Sequence, residues 1–243
     1  MWDNAPLLRS ISAALFFCSV LAILYGAVHY VVHLPKLLPI RSVRLIDVPD
    51  KVVAADVQAM VRREVHGNFL TVDIDSLRQA LEKLPWVRKV SIRREFPDRL
   101  AVHLEEHQAL ARWNDTALVN RQGEVFYAET TEVLPRFTGV EGSSEEVTEQ
   151  YAKFNKQLEV LNLHLTQLVL TPRHAWKLQL SNEMVVDLGR EAMQQRLARF
   201  VAVYPYSLAT ATQDGTTPAR ESVQVVDMRY RNGFAVKKRH GSA

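Results

Sequence analysis

The stretch LPWVRKVSIRREFPDRLAVHLEEHQALARW, residues 84–113, decides how the chain is organised. Val90 and Ile92 alternate with Lys89, Ser91 and Arg93, and Leu100, Val102 and Leu104 alternate with Ala101, His103 and Glu105. Period-two alternation puts the apolar set on one face of a strand. Pro97 and Asp98 between the two runs supply a turn, so the stretch predicts a hairpin with one buried and one wet face. Upstream, Pro85 stops a helix that starts after Asp73, a side chain suited to cap it. That helix carries Ile74, Leu77, Leu81 and Leu84 on one stripe. Before it, Ala54 to Val65 places Val57, Met60, Val61 and Val65 at helical spacing and Gly67 ends the run. Residues 40–48, IRSVRLIDV, read as a strand. The order strand, helix, helix, strand, strand makes a two-layer domain, two helices over one face of a three-stranded sheet.

Beyond Ala109 the chain reads as a second domain, richer in strands. Ala117 to Phe126 resembles a hairpin around Arg121-Gln122-Gly123. Gly142-Ser143-Ser144 opens a helix striped with Val147, Tyr151, Phe154, Leu158, Leu161 and Leu165. Trp176, Leu178 and Leu180, then Met184, Val186 and Leu188, predict two alternating strands. Gly189 precedes a helix bearing Met193, Leu197, Phe200, Val201 and Tyr204. A loop with Asp214-Gly215 and Pro218 leads to a closing hairpin, Ser222–Arg231 and Phe234–Lys238 about Asn232-Gly233. Asn-Gly between strand-like runs predicts a two-residue type I′ turn. That register sets Arg231 opposite Phe234, Tyr230 opposite Ala235 and Arg229 opposite Val236. The fold class expected is α+β.

Toward the N-terminus, no Lys, Arg, Asp or Glu occurs from Ser10 to Pro35. About 20 apolar residues cross a bilayer as a helix. Tyr25 and Tyr30 suit an aromatic belt, and Pro35 and Pro39 stop the helix. A cleaved signal peptide would have a shorter apolar core and a small-residue cleavage site, so an uncleaved anchor is expected. Flanking charge leaves orientation open. Arg9 stands against Asp3 on one side, and Lys36, Arg41 and Arg44 on the other would by themselves keep the C-terminal part in the cytosol, but long domains translocate largely regardless of charge. The one cysteine, Cys18, lies within the apolar run. A cysteine-free soluble part suits an oxidising compartment without demanding one.

The chain has 243 residues, 47% hydrophobic and 23% charged, with net charge +3. That composition is globular. About 205 residues outside the anchor suffice for one or two cored domains. Lys and Arg are mixed with Asp and Glu rather than gathered on one face, which argues against nucleic acid. No GxGxxG, GxxxxGK, HExxH or GxSxG occurs. His103, Glu105 and His107 share a strand face of residue types that bind zinc, but that face is the polar, solvated one. His29 and His33 suit the wet end of the membrane helix. Glu105-Glu106 and Glu145-Glu146 are adjacent, so their side chains diverge and form no carboxylate dyad. No catalytic, cofactor or metal residues are expected.

Four stretches carry a resemblance to a known family. They are the short N-terminus with its span, residues 68–113, LGREAMQQRLARFVAVYP at 188–205, and VDMRYRNGFAVK at 226–237. Together they resemble the FtsQ/DivIB family of bacterial cell-division proteins. Residues 68–113 look like the second half of a POTRA domain, a module also found in secretion and outer-membrane assembly proteins. There it usually precedes a β-barrel, for which no strands are seen. The resemblance implies a cytoplasmic tail (1–9), a transmembrane helix (10–35), a POTRA domain (38–108), an FtsQ-type β domain (109–238) and a basic tail (239–243). It implies a type II protein of the bacterial inner membrane, N-terminus cytoplasmic and both domains periplasmic, at the division septum. It further implies a non-enzymatic divisome scaffold that holds FtsB and FtsL and helps control septal peptidoglycan synthesis.

A last strand before a short tail is expected at a sheet edge, where a partner segment can add as another strand. The resemblance carries Arg229, Tyr230 and Gly233 onto the family's RY…G motif. Phe234, Val236 and Lys238 complete the expected partner site. Tyr230, opposite small Ala235 in the expected register, offers its ring to a partner or packs on the sheet. Lys237, Lys238 and Arg239 form a basic end suited to an acidic segment. Arg173, near Trp176, is a further candidate if its strand neighbours the hairpin. Two other functions stay open, a POTRA-type protein receiving client strands and a membrane-anchored cell-wall enzyme.

Overall fold

A computed structural model of the protein describes residues 5–32, 34, 38–46, 49–208, 223–231 and 233–238. The loop with Asp214-Gly215 and Pro218, the tail from Arg239, and His33, Lys36 and Asn232 lie outside them. The chain divides into two units, 1–106 and 107–243.

In the first unit, helix α1 (Ala5–Val32) contains a 24-residue run, Arg9–Val32, whose most apolar 18-residue window has a mean hydropathy of 2.3 and is not buried by any of the described residues. It is long and apolar enough to cross a bilayer. After it come β1 (Ser42–Ile46), α2 (Ala54–Glu64), α3 (Ile74–Leu81), β2 (Val87–Glu95) and β3 (Arg99–Glu106). Asp73 caps α3 as its position predicts, its carboxylate accepting from the Ser76 N–H at 2.9 Å. Val57, Leu77 and Leu81 of the helices bury with Val90, Leu100, Val102 and Leu104 of the sheet. The sheet order is β1-β3-β2, with β1 parallel and β2 antiparallel to β3. Ala101, on the face expected to be wet, is buried as well. It stands in register between Arg44 and Arg93 on the two flanking strands, long residues that flank the small one.

Asn68 is the buried polar hub of this unit. Its Oδ1 accepts from the N–H groups of Leu70 and Thr71 and from the Thr71 hydroxyl. Its Nδ2 donates to the carbonyls of Val32, at 2.6 Å, and Leu34. These carbonyls leave the end of α1, where no intrahelical donor remains for them.

The second unit is a nine-stranded mixed sheet in the order β12-β11-β10-β9-β8-β7-β4-β5-β6. Its elements are β4 (Ala109–Trp113), β5 (Ala117–Asn120), β6 (Val125–Phe126), β7 (Arg136–Thr138), α4 (Ser144–Leu158), β8 (Leu165–Leu170), β9 (Trp176–Leu180), β10 (Val185–Gly189), α5 (Met193–Ser207), β11 (Val223–Asp227) and β12 (Ala235–Lys238). Val147, Phe154 and Leu158 of α4 and Leu197 and Phe200 of α5 pack with Trp176, Leu178, Val186 and Leu188 of the sheet. Gln194 ties the two helices together by donating to Gln150 and accepting from Gln157.

The stripe expected to run helically to Leu165 breaks earlier. α4 ends at Leu158, a single 3-10 turn covers Glu159–Leu161, and Asn162 adopts left-handed backbone at φ 53°. Asn tolerates that conformation better than other side chains. Leu165 therefore begins β8, an interior strand, instead of a helical turn.

Candidate docking edge of the second sheet

The sheet ends on β12, all four residues of which are exposed. Among the described residues no strand pairs with its outer side. β12 runs antiparallel to β11, with Val226 opposite Val236 and Asp227 opposite Ala235. β11 lies parallel to β10, and its buried Val226 and Met228 anchor it to the core.

The expected register does not hold, and Asn232, on which the expected turn falls, lies outside the described residues. Pairing stops at Asp227 and Ala235, so residues 228–234 make a seven-residue connection, and Arg229, Tyr230 and Arg231 face no strand partner across it. Three interactions pull this segment out of the ladder. The Met228 N–H donates to the Asp187 carbonyl of β10, and the Met228 side chain is fully buried. Arg229 folds back on Asp227, its backbone N–H donating to Oδ1 at 3.0 Å and its guanidinium donating to both carboxylate oxygens. From α5, the Arg199 guanidinium donates to the carbonyls of Met228, Tyr230 and Arg231.

Tyr230 thus projects from a clamped loop with 58% of its surface exposed. Phe234 is half-buried against the core, Gly233 is half-buried, and Val236 is 43% exposed on the edge strand. Arg229 spends its charge on Asp227, which it reaches bidentately. Arg173 is exposed in the tight turn between β8 and β9. β9 is not the hairpin's neighbour, because β10 intervenes. Strand directions still put residues 171–175 at the end of the sheet where β10 and β11 finish and the 228–234 loop emerges.

Gly189 fixes that end. Its φ is +69°, and an added Cβ would come within 2.8 Å of Arg196 Nη1 and 3.1 Å of Arg229 Cγ. Only glycine takes this backbone without strain. Arg196 donates to the Leu188 carbonyl at 2.6 Å. Arg196, Arg199 and Asp227, which position the loop, are not on the list read from the sequence. Two signals were there to find them: the arginines lie three apart on one helix, and Asp227 stands two before Arg229.

The Arg229 hydrogen bonds hold the Asp227 carboxyl below the usual carboxylate range. A depressed folded pKa stabilises the loop fully above the unfolded value of about 3.9, and that contribution is lost as pH falls through the folded value. The Arg229 Nε–H signal in proton–nitrogen NMR is therefore expected to stay fixed from neutral pH to about pH 5 and to move only in stronger acid. Asp227→Asn is expected to displace it at every pH.

The arrangement suits protein docking. Residues 38–107 match the POTRA domain, FtsQ-type, and residues 111–229 match the cell division protein FtsQ/DivIB C-terminal family. A protein of Nitrosospira multiformis named cell division protein FtsQ is 40% identical over 98% of this chain and 99% of its own length. The chain belongs to the FtsQ family. The Burkholderia pseudomallei FtsQ is 36% identical over 98% of this chain and 94% of its own. The Escherichia coli FtsQ is 37% identical over 70% of this chain and 62% of its own. In this FtsQ-family chain the first matched region ends at residue 107 and the second begins at 111, close to where the two units divide, between Glu106 and His107. A cell-division role, a membrane-anchoring helix and the α+β fold follow from the family and the structure together.

Proposed function

We propose that this chain is a non-enzymatic divisome scaffold whose β12 edge takes a strand from FtsB, within a complex with FtsL. The single observation behind this is the exposed strand β12, whose outer side no strand pairs among the described residues, beside the clamped loop that presents Tyr230. Backbone groups along such an edge give affinity, and neighbouring side chains give selectivity. Tyr230 and Val236 supply apolar contact, Arg173 and Lys238 set the charge that an acidic segment meets, and Arg229, paired with Asp227, holds the loop that presents Tyr230. The domains extend over 38–108 and 109–238, periplasmic, with residues 1–9 cytoplasmic and 239–243 a basic tail. The POTRA domain and the transmembrane helix join other divisome proteins at the septum, linking early and late components to septal peptidoglycan synthesis.

The test is a pull-down of residues 40–243 with the soluble parts of FtsB and FtsL, Tyr230→Ala beside wild type. Losing one interface anchor costs about 2 kcal/mol, roughly 30-fold in affinity. Tyr230→Ala is expected to show that loss with unchanged circular dichroism and melting. A folded variant that binds as wild type removes Tyr230 from the site. A folded wild type that binds neither partner favours a POTRA protein receiving client strands.

A further inference from the structure

We propose that the first unit rests on the bilayer, its β2–β3 tip and 67–71 loop forming an apolar foot in the phospholipid headgroup layer beside α1. This rests on α1 spanning the membrane.

Two observations converge on that foot. Phe96, at the tip between β2 and β3, exposes 80% of its surface, and Leu70 exposes 52%. Isolated exposed apolar residues are ordinary, but these two belong to adjoining segments: the Phe96 ring meets the Phe69 ring edge-on at 6.2 Å, and Leu70 follows Phe69. The second observation fixes where they lie. Asn68 donates to the carbonyls of Val32 and Leu34, so the residue before Phe69 touches the end of α1. The Phe69 N–H donates to the Leu38 carbonyl, and the Arg41 N–H donates to the Asp98 carbonyl, which ties the connection from α1 to both segments. The headgroup layer extends roughly 5–8 Å beyond each face of the hydrocarbon core. Asn68 lies in hydrogen-bond contact with the end of α1, Phe69 and Leu70 follow it directly in the chain, and the Phe96 ring contacts Phe69.

The chemistry suits a phospholipid surface. Aromatic and aliphatic side chains are favoured at the interface, where the apolar part is buried and the backbone stays wet. Beside the Phe96 tip, Arg41 and Arg99 lie 3.5 and 3.8 Å from Asp98, and Arg94, which donates to the Val72 carbonyl, precedes Glu95, so three guanidiniums against two carboxylates leave a net positive charge for phosphate headgroups. Such a foot would fix the height and tilt of the POTRA domain over the membrane.

Nitroxide accessibility in nanodiscs of phosphatidylethanolamine and phosphatidylglycerol tests this on the full chain. Cys18→Ala removes the native thiol, and single labels go on through Phe96→Cys, Ile23→Cys and Val133→Cys. Ile23 is an exposed residue of α1, and Val133 is fully exposed in the second unit. The Phe96 label is expected to collide with dissolved oxygen more often than with a water-soluble nickel chelate, and to meet the chelate severalfold less often than the Val133 label does. An Ile23 label open to the chelate would overturn the spanning of α1 itself. A shielded Ile23 label with a Phe96 label as open as that at Val133 overturns the foot alone. A Phe96 label that is open in the nanodisc and shielded only after partner ectodomains are added also overturns it, marking a protein-docking patch instead.

Discussion

Proline at one of the two positions Val236 and Lys237 is expected to abolish partner capture and leave the protein folded. In an antiparallel strand, consecutive residues turn their N–H groups to opposite sides. One of the two therefore donates toward β11 and the other toward the open side of β12. Proline at the inward position removes a ladder bond and loosens the pairing of Val226 with Val236. Proline at the outward position costs the fold little, since sheets tolerate it on an edge facing solvent. It removes a donor that an added strand needs and sets a ring in the way. Affinity for the FtsB ectodomain should fall at least about 100-fold, roughly 2.7 kcal/mol, with melting near that of wild type. Alanine at the same position keeps the backbone donor and should retain most of the affinity. Titration calorimetry together with thermal melting of the four variants checks this. Two folded proline variants that both bind normally would exclude β12 as the receiving edge.

Trp176→Ala is expected to cost the second unit about 3–5 kcal/mol, a large share of the 5–15 kcal/mol by which domains are stable. Trp176 is 1% exposed and packs edge-on against Phe154 of α4 at 5.7 Å. It pairs in register with Leu170 of β8 and Gly189 of β10. Removing it opens a cavity between sheet and helix under the same sheet end that carries the 228–234 loop. Urea unfolding should show a midpoint well below wild type, and partner binding should weaken because the loop loses its floor. Phe at this position fills most of the space and should recover the larger part of the loss. A Trp176→Ala variant as stable as wild type would mean that the sheet and α4 are not packed as described.

Residues 84–113 made the first unit legible because hairpin alternation, a turn proline and two striped helices agree there. The cap at Asp73 was legible for the same reason, a local side chain meeting a local need. The second unit was legible at β9, β10 and α5, where periodicity is strong, and much less so at β7 and β8. β7 is three residues long, which is too short to show a period. β8 continues the apolar spacing of α4, and only the left-handed backbone at Asn162 separates them. The loop before β12 was not legible. Asn232-Gly233 is a strong local hairpin signal, but long-range bonds from Arg199 and Asp187 and the local Asp227–Arg229 pair outweigh it. Arg173 shows the same limit: its distance along the sheet from the closing strands depends on β10 lying between, which no local pattern reports.

Amide hydrogen exchange at residues 235–238, with and without the FtsB ectodomain, tests strand addition most directly. An added strand bonds the outward-facing N–H groups of β12, so alternate amides in this segment should slow strongly on binding while those already bonded to β11 change little. Binding with no added protection anywhere in 235–238 would contradict the account and move the partner's site off the edge of the sheet.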